Sequence, residues 1–226
     1  MATCRKKEPN ICIINRMEEA TFAESIITDI FGGKLRTTVK KTNSSKPSVS
    51  IQPFYCLHLD IQNPQINDLE QALLAYGMPE SVEGYTDENN STIAASQATT
   101  LEKLPKILIL HLKRFAFTIE SIPASSGSEK QPYHSGQIKK IHKFISFPKM
   151  LHLPKSLVAA NQKTLYKLLS VICHHGKHVT NGHYTCDVRQ STDQWIHYDD
   201  SEVHTIREED VLKKTAYVLF YEQVNN

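Results

Sequence analysis

Residues 174–201, HHGKHVTNGHYTCDVRQSTDQWIHYDDS, concentrate the side chains best suited to chemistry. A polar loop over 174–182, holding Gly176 and Gly182, leads into a strand predicted from His183 to Arg189, and a second strand is predicted from Trp195 to Asp199. In the first strand Tyr184, Cys186 and Val188 take one face, while His183, Thr185, Asp187 and Arg189 take the other. In the second, Ile196 and Tyr198 form the apolar face, opposite Trp195, His197 and Asp199. The apolar faces must coincide, because a one-residue slip turns a strand inside out. One allowed register sets His183 directly across from Asp199; the next sets Asp199 across from Thr185, diagonal to His183. In either, the β-carbons of His183 and Asp199 lie roughly 5–8 Å apart, within side-chain reach.

An imidazole held by a carboxylate has a fixed tautomer and a raised basicity. It can take a proton from a thiol or hydroxyl nucleophile and later give one to a leaving amine. A glycine-containing loop at its mouth leaves room for a substrate backbone to pass close by. The same pattern also fits a solvated hairpin whose polar face carries a His and an Asp, in a chain with eleven histidines. A metal site is a third reading, because Cys173, His174, His175, His178, His183 and Cys186 crowd one turn and strand. Their spacings match no familiar zinc pattern, and neighbours on a strand point to opposite faces. The expectation is no metal and no cofactor.

To hold such a hairpin the chain needs a sheet and a core. Its 226 residues, 40% hydrophobic and 22% charged, predict one globular domain. A net charge of +2 with basic residues dispersed among acids argues against nucleic acid or a membrane surface as partner. The first residues lead into no apolar segment of the signal-peptide kind, and no apolar run approaches membrane-spanning length. Five scattered cysteines (Cys4, Cys12, Cys56, Cys173, Cys186) include no C-x-x-C pair, so a reduced chain is expected, in the cytoplasm or also the nucleus.

Residues 51–61 alternate as one strand, and a short helix is predicted near 66–74, opened by Asn67-Asp68-Leu69-Glu70. Residues 82–101 read as polar and irregular. LPKILILHL over 104–112 predicts a central strand covered on both faces. Further strands are expected at 165–173 and 215–221. Residues 40–50 and 121–136 look like punctuation, the second a surface loop. Strands and turns with little helix in the second half predict an antiparallel sheet and an α+β class.

The segments NGHYTCDV, WIHYDD and TAYVLFY resemble the histidine box and last strand of the ubiquitin-specific proteases. LEKLPKILILHLKRF over 101–115, IFGGKLRTTV over 30–39 and IHKFISFPKMLHL over 141–153 are similar to that family's central segment, the start of its fingers and the segment after its first blocking loop. The motifs keep their order across most of the chain. The resemblance implies a papain-like fold with antiparallel palm and fingers over residues 30–224, with 1–29 left unassigned. It further implies His183 as the base, Asp199 as the residue orienting it and Asp200 as an adjacent acid supporting that role. The implied reaction is thiol-dependent hydrolysis of the isopeptide bond at the ubiquitin C-terminus, with ubiquitin and ubiquitinated proteins as partners. The second blocking loop would be 174–182, and the first would lie within 121–136.

The sequence departs from the family in one decisive respect. The glycine-asparagine-threonine-cysteine-tyrosine motif that carries the nucleophile does not occur in these 226 residues. Cys4 and Cys12 lie upstream of the fingers, but neither stands in such a motif. The expectation is a chain in which the thumb is largely missing, inactive alone, with inactive ubiquitin binding or a regulatory fragment as alternatives. The fingers also lack the zinc-binding cysteine pairs of many members.

Overall fold

The computed structural model describes residues 25–42, 46–86, 92–122, 133–178 and 181–224. A short helix α1 (Ile26–Phe31) enters strand β1 (Gly33–Lys41), which pairs antiparallel with β2 (Ser48–Phe54). After Tyr55 the chain continues as β3 (Cys56–Leu59), so the single strand expected over 51–61 is two. The break moves the chain from one sheet to another. Pro53, which has no N–H to give, is accommodated because β2 is an edge strand.

Helix α2 (Leu69–Gly77) begins where expected: the Asp68 side chain accepts the N–H of Gln71 at 2.7 Å. Strands β4 (Glu80–Thr86) and β5 (Thr92–Lys103) then complete a four-stranded sheet in the order β2-β1-β5-β4. Irregularity was expected over 82–101, and this is a correction. The β5 residues are mostly half-buried rather than core, so they need no apolar alternation. The ladder to β1, with cross-strand pairs such as Thr37–Thr99, and the Arg36–Glu102 ion pair at 2.7 Å hold β5 instead.

The larger sheet is built from β6 (Ile107–Leu112), β9 (Met150–His152), β10 (Leu165–His175), β11 (His183–Arg189), β12 (Trp195–Asp199), β13 (Glu202–Ile206), β14 (Ala216–Gln223) and β3. Its order is β13-β12-β11-β10-β14-β6-β3, with β9 paired to β10. All these pairings are antiparallel except β3 with β6. The hairpin of β7 (Phe115–Ile122) and β8 (Tyr133–Lys140) takes strand into both ends of the stretch expected to be loop; residues 123–132 between them lie outside the described residues. A one-turn helix, α3 (Glu208–Val211), precedes β14. No helix among the described residues is long and apolar enough to cross a membrane.

One face of the large sheet is the core. Leu57, Leu59, Leu108, Leu110, Leu112, Leu219 and Tyr221 are all fully buried there, in one cluster with Leu69 and Leu73 of α2. Each such aliphatic side chain contributes about 1.5–3 kcal/mol through burial. The opposite face is only half-covered: Ile107, Ile109 and His111 of β6 are intermediate where Leu108, Leu110 and Leu112 are buried. The two-sided cover expected for β6 is therefore not found.

Arg114, just after β6, is 1% exposed and donates to three backbone carbonyls: Ala216 from Nε at 2.6 Å, and Ile141 and Lys143 from Nη1 at 3.0 and 2.8 Å. It joins the end of β6 to the start of β14 and to the segment after β8. Burial pushes its guanidinium down to about 10.

Candidate active site

The β11–β12 hairpin forms with the predicted strand limits, and its register is the diagonal one. Cys186 faces Tyr198, Asp187 faces His197 and Arg189 faces Trp195. The paired ladder stops at Cys186–Tyr198; continued by one rung, this register would set Thr185 across from Asp199, with His183 diagonal to it. The expected burial of the two faces is reversed. Tyr184 and Tyr198 are exposed, while Thr185, Asp187 and Trp195 are buried. The polar face points inward because its polar groups find partners there. Trp195 Nε1 donates to Glu208 at 3.3 Å, and Asp187 is paired as described below.

On that face the structure brings the predicted residues together. His183 Nε2 is hydrogen-bonded to Asp199 Oδ1, and Asp200 Oδ2 lies 3.9 Å from His183 Nδ1. A carboxylate only accepts, so the ring proton sits on Nε2 and Nδ1 is left as the basic nitrogen. The bond to Asp199 raises the His183 pKa above its ordinary value, against a smaller opposing effect of burial. His183 and Asp199 are 44% and 38% exposed at their side chains, so the pair is accessible from solvent. Asp200 turns the chain with φ 48, a left-handed conformation that Asp tolerates. Its carboxylate sits where positive charge develops once Nδ1 is protonated.

The loop before β11 is fastened from below. His174 is buried, and Lys140 of β8 donates to its Nδ1 at 3.0 Å, to its carbonyl at 2.7 Å and to the Gly176 carbonyl at 2.8 Å. One ammonium thus ties the β7–β8 hairpin to the loop over 174–182, of which residues 179 and 180 are outside the described ones. Desolvation, then the neighbouring Lys140, lowers the His174 pKa. Its ring occupies the place a side chain at position 182 would need: a β-carbon on Gly182 would come within 1.8 Å of His174 Nε2. Glycine before His183 is therefore a packing requirement. Gly176 has φ 122, where glycine is the favoured residue.

A cleft of about 360 Å³ opens beside the pair, lined by His175, His183, Thr185, His197, Asp199 and Lys214. His175 Nε2 contacts Thr185 Oγ1 at 2.9 Å. His174 and His175 serve opposite faces of β10, which separates the cluster that could have suggested zinc. Among the described residues the one group of three metal-capable side chains is His183, Asp199 and Asp200, with ligand atoms within 4.8 Å of one another. Those are the residues of the pair itself.

The described cysteines do not offer an activated thiol. Cys56, Cys173 and Cys186 are unpaired, and burial pushes Cys56 and Cys173 up to about 11, the wrong direction for a nucleophile. Cys186 is an odd number of residues from His183 on β11 and faces the other way. Cys4 and Cys12 lie outside the described residues.

The model of the family described as ubiquitin carboxyl-terminal hydrolase matches residues 6–221. The chain belongs to that family. Ubiquitin hydrolase B of Dictyostelium discoideum is 42% identical over 222 residues, covering 97% of this chain and 45% of that protein. Ubiquitin carboxyl-terminal hydrolase 10-A of Xenopus laevis is 38% identical over 219 residues, covering 92% and 26% respectively. The chain therefore spans less than half the length of either relative. Among solved structures it is similar to a SAGA DUB module of Ubp8, Sgf11, Sus1 and Sgf73 bound to monoubiquitin, with a TM-score of 0.74 and 29% identity over 95% of this chain and 47% of that one. A second such module, bound to ubiquitin aldehyde, gives a TM-score of 0.72 and 28% identity over 95% and 48%. The fold is thus the α+β ubiquitin-specific protease fold.

Sequence reasoning missed two parts of this site. Asp187 and His197 were assigned to the right face but given no role, and Lys214 was not singled out. The signal for the first two was present in their register, while Lys214 comes from a different segment altogether.

Proposed function

We propose that His183, Asp199 and Asp200 are the base, its orienting carboxylate and a supporting acid of a cysteine-type deubiquitinase site. The observation that carries this reading is the Asp199 carboxylate on His183 Nε2, which leaves Nδ1 as the basic ring nitrogen beside the cleft in a chain of this family. In the reaction, His183 Nδ1 takes the proton of a thiol, and the thiolate attacks the carbonyl of ubiquitin's C-terminal glycine. The imidazolium, held between Asp199 and Asp200, then protonates the leaving lysine amine. Ubiquitin and ubiquitinated proteins are the proposed partners, in the cytoplasm or also the nucleus.

The thiol of that reaction comes from outside the 226 residues, since no nucleophile motif occurs in them. A second reading, ubiquitin binding without hydrolysis, is favoured by one observation: Cys56 and Cys173 are held protonated by burial. The test is the purified chain against a ubiquitin C-terminal fluorogenic substrate and against immobilised ubiquitin. Binding without turnover is expected. Turnover that disappears in His183→Ala means that one of the five cysteines acts as nucleophile, and the assignment of the thiol is then wrong.

A further inference from the structure

Beside the His183–Asp199 pair lies a second histidine–carboxylate pair, with the residue types exchanged between the strands. Asp187 on β11 is the register partner of His197 on β12, on the face that carries the first pair. Asp187 is 1% exposed. Its Oδ1 accepts the Nδ1–H of His197 at 2.5 Å, and Lys214 Nζ donates to its Oδ1 at 2.9 Å and its Oδ2 at 2.8 Å. A carboxylate buried this deeply is tolerated because an ammonium and an imidazole satisfy it; removing one partner exposes a large desolvation penalty. Lys214 is itself fixed. Its N–H donates to the Val211 carbonyl at 3.1 Å, and its own carbonyl accepts from Ala216 at 3.0 Å. Ala216 is in turn the residue whose carbonyl Arg114 holds.

The place of this tie gives it a consequence. The β11–β12 ladder ends at Cys186–Tyr198, one rung short of Asp199. On its other side Asp199 pairs with Glu202 of β13, and the chain turns immediately at Asp200. Among the described residues, Asp187–His197 is the last side-chain bond joining the two strands on this face before His183–Asp199 itself. It sits two residues from Asp199 along β12 and four from His183 along β11. It thereby fixes the spacing of the strand ends on which the first pair depends.

We propose that Lys214, acting through Asp187 and His197, is a positioning residue that keeps the Asp199 carboxylate on His183. Its catalytic meaning rests on the function proposed above, whereas the positioning itself can be read without turnover. The groups that face His183 are Asp199, Asp200 and His175, and Lys214 lines the same cleft.

The test is an NMR titration of the His183 ring in the 226-residue chain and in Lys214→Met, which keeps the aliphatic stem and removes the ammonium. The sign separates the two possible effects. Loss of a nearby cation alone raises an imidazole pKa, whereas loss of the Asp199 bond lowers it. The His183 pKa is expected to fall in Lys214→Met by at least half the fall seen in Asp199→Asn, and Lys214→Arg is expected to restore part of it. An unchanged or raised value in a folded Lys214→Met chain overturns the proposal. If that variant does not fold, His197→Leu removes the donor to Asp187 and so the tie, and the same fall or its absence decides. A failure here leaves the function of His183 untouched, because that is read from turnover in a different experiment.

Discussion

Gly182→Ala should damage this protein through one identifiable contact. An alanine β-carbon would lie 1.8 Å from His174 Nε2, 2.6 Å from Cδ2 and 2.7 Å from Cε1. Non-bonded heavy atoms rest at about 3.5 Å or more, so the ring must retreat by well over ~1 Å. It has little freedom to do so. His174 is 6% exposed, its ring centroid lies 4.9 Å from that of Tyr184, 5.4 Å from Phe115 and 5.7 Å from Tyr217, and Lys140 holds its Nδ1. Overpacking of this kind costs typically 1–3 kcal/mol, and the loss of the Lys140 bond puts this case at the upper end, about 2–3 kcal/mol. For a chain of this size that corresponds to a melting temperature lowered by roughly 5–10 °C. Thermal unfolding followed by circular dichroism measures it. The decisive control is the same substitution in a His174→Ala background. With the ring gone, the three atoms nearest the new β-carbon are gone, and the Gly182→Ala penalty should fall by at least half. A full penalty persisting in that background, or no penalty in the wild-type chain, refutes the argument.

Three further outcomes follow from the packing and the charges. His111, which burial holds neutral with a pKa of about 4, binds its proton in the unfolded chain near 6.5, so stability is lost as pH falls from about 6.5 through about 4. The full loss is about 3 kcal/mol, and urea titrations of His111→Gln should show a correspondingly flatter acid limb. Arg114→Met strands three carbonyls that now accept its N–H groups, and should cost about 3 kcal/mol or more in urea unfolding; a loss under ~1 kcal/mol contradicts the role given to Arg114. The half-covered sheet face, with Ile107, Ile109, Ile172, Val188, Ile196, Val218 and Phe220, should make the isolated chain self-associate. Sedimentation velocity checks this, and a clean monomer with a cooperative thermal transition contradicts it.

The hairpin that carries the site was legible because its information is local. The strand limits at His183, Arg189, Trp195 and Asp199 follow from alternation, and two registers could be narrowed to a diagonal or direct pairing of His183 with Asp199. The burial of its two faces was not legible. Alternation assigns polar residues to solvent, and here Asp187 and His197 are turned inward because Lys214, 27 residues from Asp187 along the chain, satisfies them. A partner supplied by tertiary structure leaves no trace in a local pattern. The same limit explains β4 and β5, whose stability lies in ladders to other strands rather than in an apolar stripe. Arg114 stood within a segment that carried the family resemblance, yet its task depends on carbonyls at Ile141, Lys143 and Ala216 that only the fold brings together.

The central claim is that His183, oriented by Asp199, is the base of a deubiquitinase whose thiol comes from outside these 226 residues. Joining the part of ubiquitin hydrolase B that this chain does not match to the chain itself, in one polypeptide, puts that claim to a single measurement. The account predicts turnover of a ubiquitin C-terminal fluorogenic substrate by the chimera, reduced at least about 100-fold by His183→Ala. Equal turnover by the chimera and its His183→Ala variant would contradict it.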